Sequence, residues 1–161
     1  MKWIAAVTAF VFGLAPLSFA QSNTDLVKYA DEAMLKRIVA AVGDEVTNST
    51  TINGAPSIAA KDADTGLLYG LTGTACTEGR CNGIEISARW TANSYNSDLA
   101  KLNELNLSRA AVSVGLQDNN DGSKSVLVSR YLILDHGQVF ENLRLNTSVF
   151  VLVASGLGES L

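Results

Sequence analysis

Ile84-Glu85-Ile86-Ser87-Ala88-Arg89-Trp90-Thr91 is the stretch on which the fold turns. Ile84, Ile86, Ala88 and Trp90 alternate with Glu85, Ser87, Arg89 and Thr91. A period of two is a β-strand with one face in a core and the other in water. Trp90 is therefore expected to point inward and to be largely buried.

Upstream, Leu67, Tyr69 and Leu71 alternate with Leu68, Gly70 and Thr72 in another strand. Before it come a polar turn over residues 62–66, a short strand over 57–61, and the turn pair Asn53-Gly54. β-Branched residues concentrate over 44–52 (Val46, Thr50, Thr51, Ile52), giving one further short strand. Earlier still, Val27, Ala30, Met34, Ile38 and Ala41 share one helical stripe. Thr24 or Ser22 would cap that helix, Asp25 would favour its N-terminal dipole, and Gly43 would end it.

Downstream, residues 97–107 read as a helix capped by Ser97, with Leu99, Leu102 and either Leu105 or Asn106 facing inward. Val112, Val114 and Leu116 alternate in a strand, residues 118–122 make a hairpin turn, and 125–134 return. A last helix starts near Gln138, with Phe140, Leu143, Thr147, Phe150, Ala154 and Leu157 at helical spacing. The expected fold is thus α+β, in the order α-β-β-β-α-β-β-α. Strands joined by tight turns make an antiparallel sheet of about five strands with helices packed against it.

Residues 1–20 read as a secretory signal. Lys2 supplies the positive start, Trp3 to Leu14 is apolar apart from Thr8 and Gly13, and Pro16 precedes the small residues Ser18 and Ala20. Cleavage after Ala20 would leave one α+β domain over residues 21–161, beginning at Gln21. The product would be periplasmic or secreted from a bacterium. Losing Lys2 takes the formal net charge from −4 to −5. An acidic chain with scattered basic residues carries no footprint for nucleic acid. No later stretch is long enough for stable membrane insertion.

Cys76 and Cys81 are the two cysteines. In an exported chain such a pair is expected to be a disulfide. With His136, the one histidine, they would give zinc three ligands at most, and four residues separate them where a thioredoxin-type pair has two.

Motifs for catalysis are absent: no GxSxG, no HExxH and no Walker-type glycine loop. Asp118-Asn119-Asn120-Asp121-Gly122 has its glycine at position five and Ser129 at twelve, which does not match a calcium loop, and Asp62, Asp64 and Gly66 fail likewise. No metal, cofactor or catalytic residue is expected. A degenerate hydrolase would have to draw on His136 with Asp135 or Glu141.

Several segments together resemble the YbjN family, which is labelled a bacterial sensory transduction regulator. They are Leu102-Asn103-Glu104-Leu105-Asn106, then Arg109, the acidic-glycine hairpin at 118–122, Tyr131-Leu132-Ile133-Leu134-Asp135, and Gly137, Glu141 and Leu143. Cys76 and Cys81 ahead of Ile84 and Ile86 match exported members. The resemblance covers roughly residues 26–150. Leu105 stands where the family usually has Trp, and His136 where a small or apolar residue is commoner. The resemblance implies a type III secretion chaperone-like fold and no established chemistry. Asn103 and Asn106 share a helix face, which suits either a polar contact surface or hydrogen bonds to the following loop.

Val149, Phe150, Val151 and Val153 lie in a run without a polar break. Either the last helix is sandwiched deep in the core, or part of this run is a surface for a protein partner or a second copy. The functional expectation is an exported, non-catalytic binding or regulatory module, with a homodimeric envelope-interaction or structural protein as the alternative.

Overall fold

The computed structural model describes residues 25–109 and 111–158. The expected signal segment 1–20 and the expected caps Ser22 and Thr24 lie outside those residues. The elements are β1 (Leu26–Val27), α1 (Glu32–Val42), β2 (Glu45–Ile52), β3 (Ala55–Lys61), β4 (Leu68–Thr77) and β5 (Arg80–Thr91). There follow α2 (Leu99–Ser108), β6 (Ser113–Asp118), β7 (Lys124–Ile133), β8 (Gln138–Val139) and α3 (Phe140–Gly158). The fold is α+β. Six strands form one sheet in the order β2-β3-β4-β5-β7-β6, and β1 pairs with β8 in a small second sheet. Every pairing is antiparallel.

β5 runs between β4 and β7, and its alternation sets the two faces of the sheet. Ile84, Ile86 and Ala88 are buried, while Glu85, Ser87 and Arg89 look away from the core. Trp90 is on the inward side but only half-buried, because it lies near the end of the strand, where Gly158 at the close of α3 is what meets its indole. Residues 45–52 make a full-length edge strand rather than a short extra one. Asn53 and Gly54, both at positive φ, turn it into β3 as their residue types demand.

α1 is shorter than its apolar stripe suggests. Asp31 caps it, its carboxylate accepting the Met34 N–H at 2.8 Å, and Gly43 closes it in the left-handed conformation. The chain before Asp31 pairs instead: Leu26–Val27 with Gln138–Val139, and Ala30 with Cys81 through two 2.8 Å main-chain hydrogen bonds. A local helical stripe loses here to pairing with distant strands that also buries Val27 and Ala30 in the core. The same pairing delays α3, so Gln138 belongs to β8 and the helix begins at Phe140.

α2 also departs at its start. The Ser97 hydroxyl donates to the Asn93 carbonyl, which closes the preceding turn and passes the cap to Asp98. Leu102 is buried against the β6 side and Leu105 half-buried, but Leu99 is 69% exposed. A helix resting on one edge strand has room for only a narrow buried stripe.

α1 and α3 cover the inward face of the sheet, packing on each other and on β2, β3, β5 and β7. α3 buries Phe140, Leu143, Thr147, Phe150, Ala154 and Leu157, the stripe its 3.6-residue spacing predicts. Thr147 is tolerated in that stripe because its hydroxyl donates to the Leu143 carbonyl at 2.9 Å. Among the described residues no helix is long and apolar enough to cross a membrane.

Candidate partner surface

The apolar run in α3 is divided by the helix itself. Phe150 and Val151 are buried and Val153 is half-buried against the core, so these three act mainly in holding α3 to the sheet. Val149 is 41% exposed, and it is not alone: Leu145 is 46% and Leu152 74% exposed. Residues 145, 149 and 152 are spaced i, i+4, i+7 and form one outward stripe. No charged side chain follows Arg144 in α3, and Arg144 is itself held by Glu141, its Nε donating to both carboxylate oxygens at 3.0 Å. The outward face from Leu145 onward is therefore uncharged, with Asn146, Ser148 and Ser155 as the polar residues flanking the apolar stripe.

A cleft of about 220 Å³ runs beside this stripe. Val151, Leu152, Ser148 and Ser155 of α3 line it together with Val42, Asp44, Asp62, Asp64 and Thr65. The acidic residues arrive there through local turns. Gly43 reverses the chain after α1 and delivers Asp44, whose Oδ2 accepts the Tyr69 hydroxyl at 2.7 Å. Burial, then the hydrogen bond to Asp44 and its charge, push the Tyr69 phenol up from its ordinary value.

Asp62 closes the turn after β3. Its carboxylate accepts the Thr65 N–H at 2.7 Å and the Thr65 hydroxyl, which also reaches Ser155 of α3 at 3.0 Å. Asp64 stands exposed in that turn. Among the described residues, no Lys or Arg lies within ion-pair distance of Asp44, Asp62 or Asp64. No set of three or more His, Cys, Asp or Glu there is disposed to hold a metal ion.

The other candidate residues lie elsewhere in the fold. Cys76 and Cys81 are disulfide-bonded as cross-strand neighbours of the β4–β5 hairpin, two pairs from the Glu78-Gly79 turn. The left-handed Ala75 interrupts the strand pleat, and the bridge lies over Gly73, where a Cβ would collide with the Cys81 Sγ. Leu102 is core, Asn103 is exposed, and Arg109 ends α2 with its N–H donating to the Leu105 carbonyl at 2.9 Å. The Asn106 amide bonds both main-chain groups of Val114. Gly137 has φ +93°, and a Cβ there would fall 2.7 Å from Leu26 Cγ, so the approach of β1 requires glycine.

Asp135 and His136 are exposed in the turn before Gly137, while Glu141 is engaged by Arg144. That arrangement gives His136 no orienting carboxylate from Glu141. The stripe of Leu145 and Leu152 escaped the reading of the sequence, although their seven-residue spacing around Val149 was a usable signal. The acidic cleft escaped because its members come from two separate turns.

Known proteins give the fold a counterpart. YbjN from E. coli, a proposed transcription regulator, superposes with a TM-score of 0.58 at 16% identity, over 81% of this chain and 90% of that one. An uncharacterized protein from Methanothermobacter thermautotrophicus superposes with a TM-score of 0.50 at 15% identity, over 80% of this chain and 97% of that one. At these identities the likeness is one of fold, and the fold is YbjN-like. No family model matches the sequence, and no curated protein does.

Proposed function

We propose that this chain is an exported, non-catalytic binding or regulatory module of the YbjN type, which docks a protein partner along α3. The observation that carries the reading is the outward stripe of Leu145, Val149 and Leu152 on a helix whose opposite face already fills the core. Those three side chains are not needed to complete the fold, and contiguous exposed apolar surface of this kind marks an interaction site. Export is supported by the signal-like residues 1–20 and by a disulfide, which persists in oxidising compartments. The regulatory description of E. coli YbjN is in keeping with a module that acts by contact.

The test is capture from envelope extracts with the mature protein, alongside Val149→Ser and Leu152→Ser. Leu152 is 74% exposed, so its variant should keep the parental unfolding midpoint; Val149 is 41% exposed, so its variant should lose a little stability and stay folded. A partner retained by the parent and lost by both variants supports the reading. A partner held equally by all three places the contact elsewhere. The homodimer alternative predicts that the parent elutes as a dimer and the two variants as monomers.

A further inference from the structure

The cleft beside the α3 stripe combines an apolar wall with carboxylates that form no ion pair among the described residues. Val151 and Leu152 come from the helix, and Asp44, Asp62 and Asp64 from the two turns facing it. Glu45 extends the acidic rim into the adjoining hollow, where Lys61 is the one cation among the lining residues. The hydrogen bonds that Asp44 and Asp62 accept from Tyr69 and Thr65 hold the two carboxylates in place without neutralising them. The cleft, about 220 Å³, continues into that hollow of about 600 Å³, and both lie open to solvent rather than enclosed, which suits side chains of a larger partner.

Resting on the docking reading above, we infer that the partner presents a basic amphipathic segment. Its apolar side chains lie on Leu145, Val149 and Leu152, and a Lys or Arg enters the cleft between Asp44, Asp62 and Asp64. Opposite charge beside an apolar groove is the arrangement by which amphipathic helices are chosen and oriented. A second copy is a poor match. It would bring two acidic rims together, and the one cation on its α3, Arg144, is already bound by Glu141. An anionic lipid surface is repelled by the same carboxylates.

The probe is a labelled helical peptide of Leu and Lys with leucines at i, i+3, i+4 spacing, compared with its Leu/Glu counterpart by fluorescence anisotropy. The Leu/Lys peptide should bind the mature protein, and the Leu/Glu peptide should not. Asp64→Lys and Leu152→Ser should each weaken binding about tenfold, while Glu104→Lys on α2 should leave it unchanged. Raising salt from about 0.01 M to about 0.15 M should weaken it further as the Debye length shortens from about 30 Å to about 8 Å. Binding that senses Leu152 but not Asp64, and that accepts both peptides, overturns the basic partner and leaves the docking surface standing. Binding indifferent to Leu152 removes the docking surface and this inference with it. An α3-mediated dimer that excludes the peptide overturns it in favour of self-association.

Discussion

Asn106 grips the main chain of Val114 at both ends of its amide: Nδ2 donates to the Val114 carbonyl at 2.7 Å, and the Val114 N–H donates to Oδ1 at 2.7 Å. β6 is the outer strand of the sheet, so an outward-pointing N–H and carbonyl there would otherwise face water or another chain. The side chain of a helix residue takes the place of a neighbouring strand. It also fixes α2 to the sheet, where Leu102 alone is deeply buried.

Asn106→Ala should therefore destabilise the domain by about 0.5–1.5 kcal/mol for each of the two hydrogen bonds at most, because water can reach both edge groups. Urea unfolding measures the loss, and amide exchange at Val114 locates it. Unchanged protection at Val114 would show that water replaces the side chain at no cost.

The disulfide closes a short loop on a hairpin in which Ala75 and Glu78 both hold left-handed backbone. Replacing Cys76 and Cys81 together by Ser should cost about 2 kcal/mol by loop entropy and leave the six-stranded sheet intact. Denaturant curves with and without reductant test it. A loss of the folded state on reduction would mean that the bridge also holds the Ala30–Cys81 pairing on which β1 depends.

Trp90 and Phe150 should separate clearly. Phe150 is fully buried, and Phe150→Ala should cost about 3–5 kcal/mol. Trp90 is half-buried at the end of β5, so Trp90→Ala should cost about half as much. Equal losses in thermal or chemical unfolding would place the indole in the core proper.

Tyr69 links stability to alkaline pH. Its phenol is raised in the folded chain, chiefly by burial and then by Asp44, above the value of about 10 expected when unfolded. The unfolded chain loses that proton first, so the contribution of Tyr69 is whole below about pH 10 and falls as pH rises beyond it. Tyr69→Phe should flatten this fall while costing about 1 kcal/mol at neutral pH for the lost hydrogen bond to Asp44. Identical pH profiles for parent and variant would remove Tyr69 as the cause.

Patterns that repeat along one element were legible without coordinates. The alternation at 84–91 placed both faces of β5, and the spacing from Phe140 to Leu157 placed the buried side of α3. Asn53-Gly54 and Gly43 act through backbone conformations that few other residues adopt, so they too were readable. Residues 25–31 were not. Their apolar spacing suits a helix, yet they pair with Cys81 and with Gln138–Val139, distant residues whose hydrogen bonds outweigh a weak local preference. The candidate site divides in the same way. Leu145, Val149 and Leu152 share a stripe that helical geometry dictates, but only packing shows that Phe150 and Val151 spend themselves on the core while that stripe stays uncovered. Asp44, Asp62 and Asp64 meet because α1, β3 and α3 are stacked by burial of their apolar faces, a non-local force that leaves no mark on the spacing of the three acids.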